Sequence, residues 1–312
     1  MTELQRYLAE EVAEDHADGI ITRREAMRRL GLLGVTGAAA TSLLASFSGG
    51  AEAARAREVS GRARGASRGA REVDWAPAAT ESITFAGPRV PLMGAWAAAE
   101  QPRGGVLVIH ENRGLVEHIR TVAGRFAASG YSALAIDLLS EEGGTGSFPG
   151  EAEVAAALAQ IPPERHEADM QAAVTELERR VPRKGVAAIG FCFGGAMVWR
   201  LLTSGETRLA AAAPFYGPFP EGGTFERSKT AVLGIYAGLD DRVNATQDAA
   251  RAAVEAARLE RQFVTFTEAD HAFFNDTGAR FNPHAAAEAY HRVFNWFDRF
   301  VARHGDKTDE DD

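Results

Sequence analysis

Short, continuously apolar segments alternate with amphipathic helical segments along most of this chain, and that order constrains the fold more than any other feature. Gly105–His110, Tyr131–Ile136 and Gly185–Phe191 are such segments, and a helical spacing of apolar residues follows each of them. A continuous apolar run of this length indicates a strand that is buried on both faces, as in a parallel sheet. Parallel neighbours need a long crossover, which is usually a helix. The alternation therefore predicts an α/β protein with a mostly parallel central sheet and helices on both faces.

The alternation covers residues 75–305, which we interpret as one domain that opens with an antiparallel strand pair near 83–85 and 92–97. A chain of 312 residues can bury such a core without disulfides, and its single cysteine forms none internally. The formal net charge of −9 does not favour a nucleic-acid partner. We expect no metal and no organic cofactor, because His110 and His118 have no third ligand at a sensible spacing.

Residues 1–56 are predicted to be an export signal. The stretch Thr22–Arg28 contains two adjacent arginines and resembles a twin-arginine motif, and the apolar run Leu30–Phe47 follows it. Small residues at Ala51–Ala53 and Ala54–Ala56 have the A-x-A form that a signal peptidase accepts. We therefore expect twin-arginine export to the periplasm or the outside of the cell. The alternative is a retained membrane anchor, although many Gly and Ala residues make the run only mildly apolar.

Two further segments are expected to lie outside the fold. Residues 57–74 consist mostly of Arg, Ala, Gly and Ser, which cannot bury much apolar surface, and they are predicted to form a disordered linker. Residues 306–312 are predicted to form a short acidic tail.

The most specific motif is Gly190-Phe191-Cys192-Phe193-Gly194-Gly195, which directly follows an apolar strand and directly precedes a helix. A nucleophile elbow needs this context, and its tight turn needs glycines because a Cβ would clash with the backbone. The N–H groups and the positive dipole end of the following helix favour a thiolate at Cys192, and the thiolate is the nucleophilic form. The alternative is a buried, unreactive cysteine in a glycine-rich turn.

A base and an orienting acid must follow the nucleophile, each at the C-terminal end of a strand. Asp240 follows the predicted strand Val232–Ala237, and His271 follows Phe263–Thr267. Nucleophile, acid and histidine occur in the chain order of α/β-hydrolases, which differs from that of other triads. Taken singly, Asp240 is also consistent with a helix cap, and His271 with an ordinary loop histidine. Together with Cys192 they predict a Cys-His-Asp triad.

The segment after the first central strand, His110–Gly114, is predicted to lie beside the elbow. In α/β-hydrolases this loop supplies one backbone N–H of the oxyanion hole, and the residue after the nucleophile supplies the other. The two donors would here be the backbone N–H groups of Asn112 and Phe193. Two such groups aimed at the developing oxyanion can each lower the barrier by about 3 kcal/mol.

Six stretches combine these residues with their neighbours: Val108–Leu115, Gly130–Leu138, Gly190–Gly195, Pro214–Gly217, Tyr236–Val243 and Ala269–Phe273. In these stretches the sequence resembles the dienelactone hydrolase (carboxymethylenebutenolidase) family, which has the α/β-hydrolase fold. The resemblance implies that Cys192 attacks the substrate carbonyl, that His271 acts as base and acid, and that Asp240 fixes the imidazole. It also implies that Glu111 pairs with the resting thiol and takes its proton when substrate enters, and that Tyr216 lines the pocket.

Some of these positions leave alternatives open. Glu111 is also consistent with a surface carboxylate that caps a helix, and Tyr216 with a core residue. The best known enzymes of the family bind a substrate carboxylate through arginines, one of them a few residues after the histidine, where this chain has no Arg. Arg113 is a candidate for anion binding from another direction, because a guanidinium suits a carboxylate. A surface ion pair between Arg113 and Glu117 is the alternative.

The sequence thus predicts an exported hydrolase of a small ester or lactone that acts through Cys192, His271 and Asp240. Two other hypotheses stay open: a redox protein in which Cys192 senses thiols or peroxides, and a non-catalytic binding protein with the same fold. The expected partners are a small ester or lactone and the twin-arginine export machinery. We expect a monomer or a small homo-oligomer.

Overall fold

The computed structural model describes residues 1–47 and 76–302. Its contacts divide the chain into two compact units. These are Met1–Arg71 with Phe148–Ile161, and Glu72–Ser147 with Pro162–Asp312. The predicted linker at 57–74, both A-x-A sites and the acidic tail at 306–312 lie outside the described residues.

Helices and strands alternate along the described chain. In chain order, the helices are α1 (Glu3–Ala17), α2 (Arg23–Leu32), α3 (the helical residues 37–47), α4 (Glu117–Ala128), α5 (Glu151–Gln160), α6 (Pro163–Arg180), α7 (Phe193–Thr203), α8 (Asp241–Asn244), α9 (Gln247–Ala256) and α10 (Pro283–Phe300). The strands are β1 (Glu81–Phe85), β2 (Leu92–Ala97), β3 (Gly105–Ile109), β4 (Ser132–Asp137), β5 (Val186–Phe191), β6 (Leu209–Phe215), β7 (Ala231–Ala237) and β8 (Arg261–Phe266). Two short 3₁₀ turns after β4 span Ser140–Glu142 and Thr145–Ser147.

The first unit contains helices α1, α2, α3 and α5. The side chain of Thr22 caps α2, and Arg28 on α2 pairs with Glu153 on α5 at 2.5 Å. This ion pair links two segments that are distant in sequence. The sequence placed residues 148–161 in the domain 75–305, whereas the contacts group them with the N-terminal helices. Within the described part of the chain, every helix is too short or too polar to cross a bilayer.

The second unit is built on one sheet, whose eight described strands lie in the order β1-β2-β4-β3-β5-β6-β7-β8. β2 pairs antiparallel with β1 and with β4, and every pair from β4 through β3 to β8 is parallel. This architecture confirms the predicted fold class. The strand order reverses at β3, which has β4 on one side and β5 on the other. Ligands of open α/β sheets bind beyond the C-terminal strand ends at such a reversal.

The central strands β3, β4 and β5 are buried along their whole length. Helix α4 packs on α10 through Phe126 and Phe294, whose ring centroids are 5.3 Å apart, and α6 contacts α7. Because each central strand is covered on both faces along its whole length, its sequence is continuously apolar and does not alternate between apolar and polar residues. Burying each Leu- or Phe-sized side chain contributes about 1.5–3 kcal/mol. This core holds the strand ends that carry the site in fixed positions.

Candidate active site

A sharp bend at Cys192 joins β5 to α7. β5 ends at Phe191 and α7 begins at Phe193, so Cys192 alone makes the turn, with φ 57° and ψ −118°. A non-glycine residue in this left-handed region costs on the order of 1–3 kcal/mol. The neighbouring strand helps to hold it there, because the Cys192 N–H donates to the carbonyl oxygen of Phe215 at 3.1 Å. This strained strand–turn–helix geometry is that of a nucleophile elbow.

Two glycines let the backbone pass through the elbow without collision. A Cβ on Gly190 would collide with the carbonyl oxygen of Gly194, and a Cβ on Gly194 would lie 2.6 Å from the carbonyl oxygen of His110. The first approach closes the bend, and the second sets the start of α7 against the end of β3. As a result, the start of α7 lies against the end of β3, just before the loop that contains Asn112. The oxyanion hole formed by the N–H groups of Phe193 and Asn112 stays a prediction.

Asp240 and His271 form a short, buried hydrogen bond. Asp240 follows β7 and caps α8, and its Oδ1 accepts the N–H of Val243 at 3.0 Å. Its Oδ2 lies 2.6 Å from Nδ1 of His271. A backbone hydrogen bond from the Leu239 N–H to the Ala269 carbonyl oxygen, at 3.0 Å, holds the two loops together. Because both side chains are buried, water does little to screen their interaction.

The pair shifts the titration of both groups. Burial lowers the pKa of the His271 imidazole, but the Asp240 carboxylate and the Cys192 sulfur outweigh that effect, and the pKa lies well above its usual 6.5. Burial raises the pKa of the Asp240 carboxyl, but the charge and hydrogen bond of His271 outweigh it, and the pKa is lowered. The environment therefore favours an imidazolium beside a carboxylate.

The Cys192 sulfur lies next to this pair. A ring nitrogen of His271 lies within 4.8 Å of Sγ, and the interaction with Cys192 is one cause of the raised pKa of His271. Since Nδ1 is bonded to Asp240, the nitrogen left for the sulfur is Nε2. The structure thus brings Cys192, His271 and Asp240 together at the C-terminal edge of the parallel strands. Their catalytic roles stay predictions.

Glu111 is buried at the end of β3, with 3% of its area exposed, and is not a surface residue. Nδ2 of Asn275 donates to its Oε2 at 2.7 Å. Oδ1 of Asn275 accepts the backbone N–H of Thr277 at 3.0 Å and its hydroxyl at 2.7 Å. Sequence reasoning assigned Asn275 no role, and the only signal was its place four residues after His271.

Tyr216 faces the same group of side chains. Its ring stands edge-on to the imidazole of His271, with 5.2 Å between centroids. Burial raises the pKa of the Tyr216 hydroxyl well above 10, and the negative charges of Glu111 and Cys192 add to the effect. The hydroxyl therefore keeps its proton at any pH at which the protein would work. That Tyr216 lines a substrate pocket stays a prediction.

Arg113 is half-buried in the turn that follows Glu111. Its charge acts on His118. Burial lowers the pKa of the His118 imidazole, and the Asp276 carboxylate opposes this effect. The charges of Arg125 and Arg113 lower the pKa further, so that it lies below its usual value. Asp276 bonds Nδ1 of His118 at 3.0 Å and also pairs with Arg125. Binding of a substrate anion by Arg113 stays a prediction.

His110 connects the C-terminal ends of β3 and β4 through a hydrogen bond. Its Nε2 accepts the N–H of Leu138 at 3.1 Å, so the ring proton lies on Nδ1, which is 2.7 Å from the carbonyl oxygen of Glu111. Burial lowers the pKa of His110, which keeps the ring neutral. The ring also stacks on Phe193, with 5.9 Å between centroids. These contacts position the loop that carries Glu111.

The fold is that of an α/β-hydrolase, with a cysteine at the sharp turn between β5 and α7. Residues 93–301 match the dienelactone hydrolase family, and the chain belongs to that family. The family predicted from the sequence is therefore confirmed, and with it membership of a class of ester and lactone hydrolases.

Relatives and solved structures agree with this assignment. A protein of Saccharolobus solfataricus that carries the provisional name of a carboxymethylenebutenolidase is 27% identical over 238 residues, which is 65% of this chain and 92% of the relative. The crystal structure of a dienelactone hydrolase-like promiscuous phosphotriesterase from metagenomic libraries has 26% identity and a TM-score of 0.59, covering 72% of this chain and 99% of that one. The dienelactone hydrolase of Anabaena variabilis, at 19% identity and a TM-score of 0.57, covers 72% and 98% and supports the fold alone.

Proposed function

We propose that the protein hydrolyses small esters or lactones by nucleophilic catalysis through Cys192, His271 and Asp240. The observation that carries the proposal is the 2.6 Å buried hydrogen bond between Asp240 and His271, with the Cys192 sulfur within 4.8 Å of the imidazole. Membership of the dienelactone hydrolase family supports the reaction class. A nucleophile, a base and a group that orients the base are the parts of a covalent hydrolase mechanism.

In the first half-reaction, the Cys192 thiolate adds to the substrate carbonyl carbon, a C–S bond forms, and the π electrons of the carbonyl move to its oxygen. The backbone N–H groups of Phe193 and Asn112 donate to this oxyanion, and losing one such donor typically lowers kcat about 10²–10³-fold. The C–O bond then breaks, and Nε2–H of His271 gives its proton to the leaving oxygen. An acyl thioester on Cys192 remains, with the alcohol released or, from a lactone, still attached to the acyl group.

In the second half-reaction, water adds to the thioester carbonyl while Nε2 of the neutral His271 takes one of its protons. The C–S bond breaks, the acid product leaves, and the thiolate of Cys192 returns. Asp240 holds Nδ1–H throughout, so Nε2 keeps facing the reacting atoms. The raised pKa of His271 suits the protonated form that the first half-reaction needs.

We assign Glu111 the role of partner to the resting thiol of Cys192, taking its proton when substrate enters. Two observations support this assignment. Glu111 is buried at the end of β3 rather than in solvent. Its charge, with that of Cys192, adds to the burial that raises the pKa of the Tyr216 hydroxyl. A carboxylate that receives the proton leaves the sulfur as the stronger nucleophile.

Turnover of p-nitrophenyl acetate by the wild type, Cys192→Ala and His271→Ala tests the proposal. We expect each variant to lose at least about 10³-fold in kcat/KM, because nucleophile and base act as a unit. Unchanged rates in both variants would eliminate the mechanism. A thiol sensor or a non-catalytic binding protein predicts no turnover even by the wild type, and a panel of small esters and lactones, assayed with the thiol kept reduced, extends that comparison.

The proposed contact of Arg113 with a substrate anion has its own test. Arg113→Ala is compared on matched anionic and neutral esters, with Arg120→Ala on α4 as the control, because Arg120 contacts Ser82 at 3.2 Å away from the elbow. We expect a selective loss on the anionic ester of about tenfold, the value of one charged contact. Equal losses on both esters would reject anion binding by Arg113.

We also propose that the N-terminal segment directs twin-arginine export. Support comes from the adjacent Arg23 and Arg24 and from the apolar run that follows them. A conservative Arg23→Lys/Arg24→Lys variant should stay in the cytoplasm, while an Arg6→Lys control should be exported like the wild type. The intact mass of the exported protein then distinguishes cleavage after Ala53 or Ala56 from retention of the whole chain.

A further inference from the structure

The side-chain amide of Asn275 is buried, and both its oxygen and its nitrogen form hydrogen bonds. It is 3% exposed, its oxygen takes two donors from Thr277, and its nitrogen donates to Oε2 of Glu111 at 2.7 Å. An amide oxygen that accepts two hydrogen bonds fixes which side of the group is nitrogen. Asn275 therefore presents a donor, and nothing else, to the carboxyl group of Glu111.

The loop that carries Asn275 is the loop that carries His271. The Asn275 N–H donates to the carbonyl oxygen of Ala272 at 3.0 Å, which closes a tight turn directly after His271. The next residue, Asp276, anchors the same loop to α4 through Nδ1 of His118 at 3.0 Å. One short loop, anchored at Asp276, therefore positions both the imidazole of His271 and the amide of Asn275 that donates to Glu111.

We propose that Asn275 is the positioning residue for Glu111, and that it fixes the carboxylate where it can accept the proton of the Cys192 thiol. This inference rests on the proposed function. A neutral amide orients a carboxylate without neutralising its charge, whereas a cation at this place would form an ion pair with it. Asn275 therefore adds no opposing charge to the Glu111 carboxylate. Burial first, and then the charge of Glu111, raise the pKa of the Tyr216 hydroxyl.

Alkylation of Cys192 by iodoacetamide reports on this arrangement without any ester. Cys192 is the only cysteine of the chain, so all label belongs to it. We expect Asn275→Ala to lower the alkylation rate near neutral pH about tenfold, as the loss of one hydrogen bond to a charged group implies. Glu111→Gln should lower it in the same direction. The double variant should fall no further than Glu111→Gln alone, because the two residues act through one contact.

A swap of the two groups separates positioning from simple structural support. In Glu111→Gln/Asn275→Asp the amide and the carboxylate exchange places, so the hydrogen bond can form again while the negative charge moves away from Cys192. We expect this variant to regain the thermal stability that Asn275→Ala loses, but not the alkylation rate. The matched control is Asn282→Ala, because Asn282 caps α10 by accepting the Ala285 N–H at 3.1 Å. It should lower thermal stability and leave the alkylation profile against pH unchanged.

The inference is overturned by an Asn275→Ala profile equal to that of the wild type, or by a swap variant that alkylates like the wild type. Additive losses in the double variant would also overturn it, since they would mean that Asn275 acts independently of Glu111. The hydrolase proposal fails separately, through absence of ester turnover by the wild type, and the alkylation series still decides the role of Asn275 in that case.

Discussion

Replacing Asp240 by Asn tests the buried Asp240–His271 pair with the least change in shape. One carboxylate oxygen accepts the Val243 N–H at 3.0 Å, and the other lies 2.6 Å from Nδ1 of His271. Asn is as good an N-cap as Asp, so its oxygen keeps the cap of α8 and its NH₂ group turns to the imidazole. An NH₂ group only donates, so Nδ1 must accept and the ring proton moves to Nε2, where it faces Cys192.

The expected size of the effect follows from the geometry. Two unit charges about 4 Å apart interact by about 4 kcal/mol at an effective dielectric constant of about 20. At about 1.36 kcal/mol for each factor of ten, losing that interaction in the transition state lowers the rate about 10³-fold. The pKa of His271 should fall at the same time, because the Asp240 carboxylate is the larger of the two influences that raise it, the Cys192 sulfur being the other.

The assay is the pre-steady-state burst and steady-state turnover of p-nitrophenyl acetate across pH. Asp241→Asn is the control, since Asp241 is the exposed neighbour in the first turn of α8, and we expect its rate to stay within about twofold of the wild type. An Asp240→Asn enzyme that keeps its melting temperature and loses less than about tenfold in kcat would refute the electrostatic argument.

Three further outcomes are expected. Gly194→Ala should lose about 3 kcal/mol or more of unfolding free energy in denaturant titration, because the new Cβ has no room beside a backbone oxygen of β3. The control is Gly146→Ala, whose Cβ would have no atom within 4 Å and which should unfold like the wild type. Equal stability of the two variants would contradict the packing argument. The stability difference between the wild type and His271→Ala should be largest just below pH 6.5 and should decrease as pH rises through the raised pKa of His271. It should also decrease in acid, where Asp240 takes up a proton. Melting curves between about pH 4 and pH 10 check both signs, and a difference that increases toward high pH would contradict them. Thr145→Val should lower kcat/KM about tenfold, because its hydroxyl accepts a backbone N–H of the loop after β3 at 2.9 Å; a rate equal to that of the wild type would show that this loop needs no such support.

The fold and the three central side chains were predictable because each depends on short-range patterns. A strand covered on both faces must be apolar throughout, which made β3 and β5 readable as parallel strands. The carboxyl ends of parallel strands meet at one edge of the sheet. Residues in the loops that follow such strands, as Cys192, Asp240 and His271 are, therefore lie at one edge of the sheet whatever the lengths of the intervening helices.

The contacts that escaped prediction join residues that are far apart in sequence and ordinary in type. Asn275 looks like any turn asparagine, and its partner Glu111 is 164 residues away. The pairing of Arg28 with Glu153 spans 125 residues, and it helps to join residues 148–161 to the N-terminal helices. Neither periodicity nor local propensity carries information about such pairs, because their partners are set by the packing of whole elements.

The left-handed backbone at Cys192 restricts which side chains can occupy the bend. β-branched residues are crowded at positive φ, so threonine, although it carries a nucleophilic hydroxyl, is a poor replacement here. Serine is unbranched and differs from cysteine only in the chalcogen atom. Exchange of sulfur for oxygen at this position therefore needs no change in the main chain.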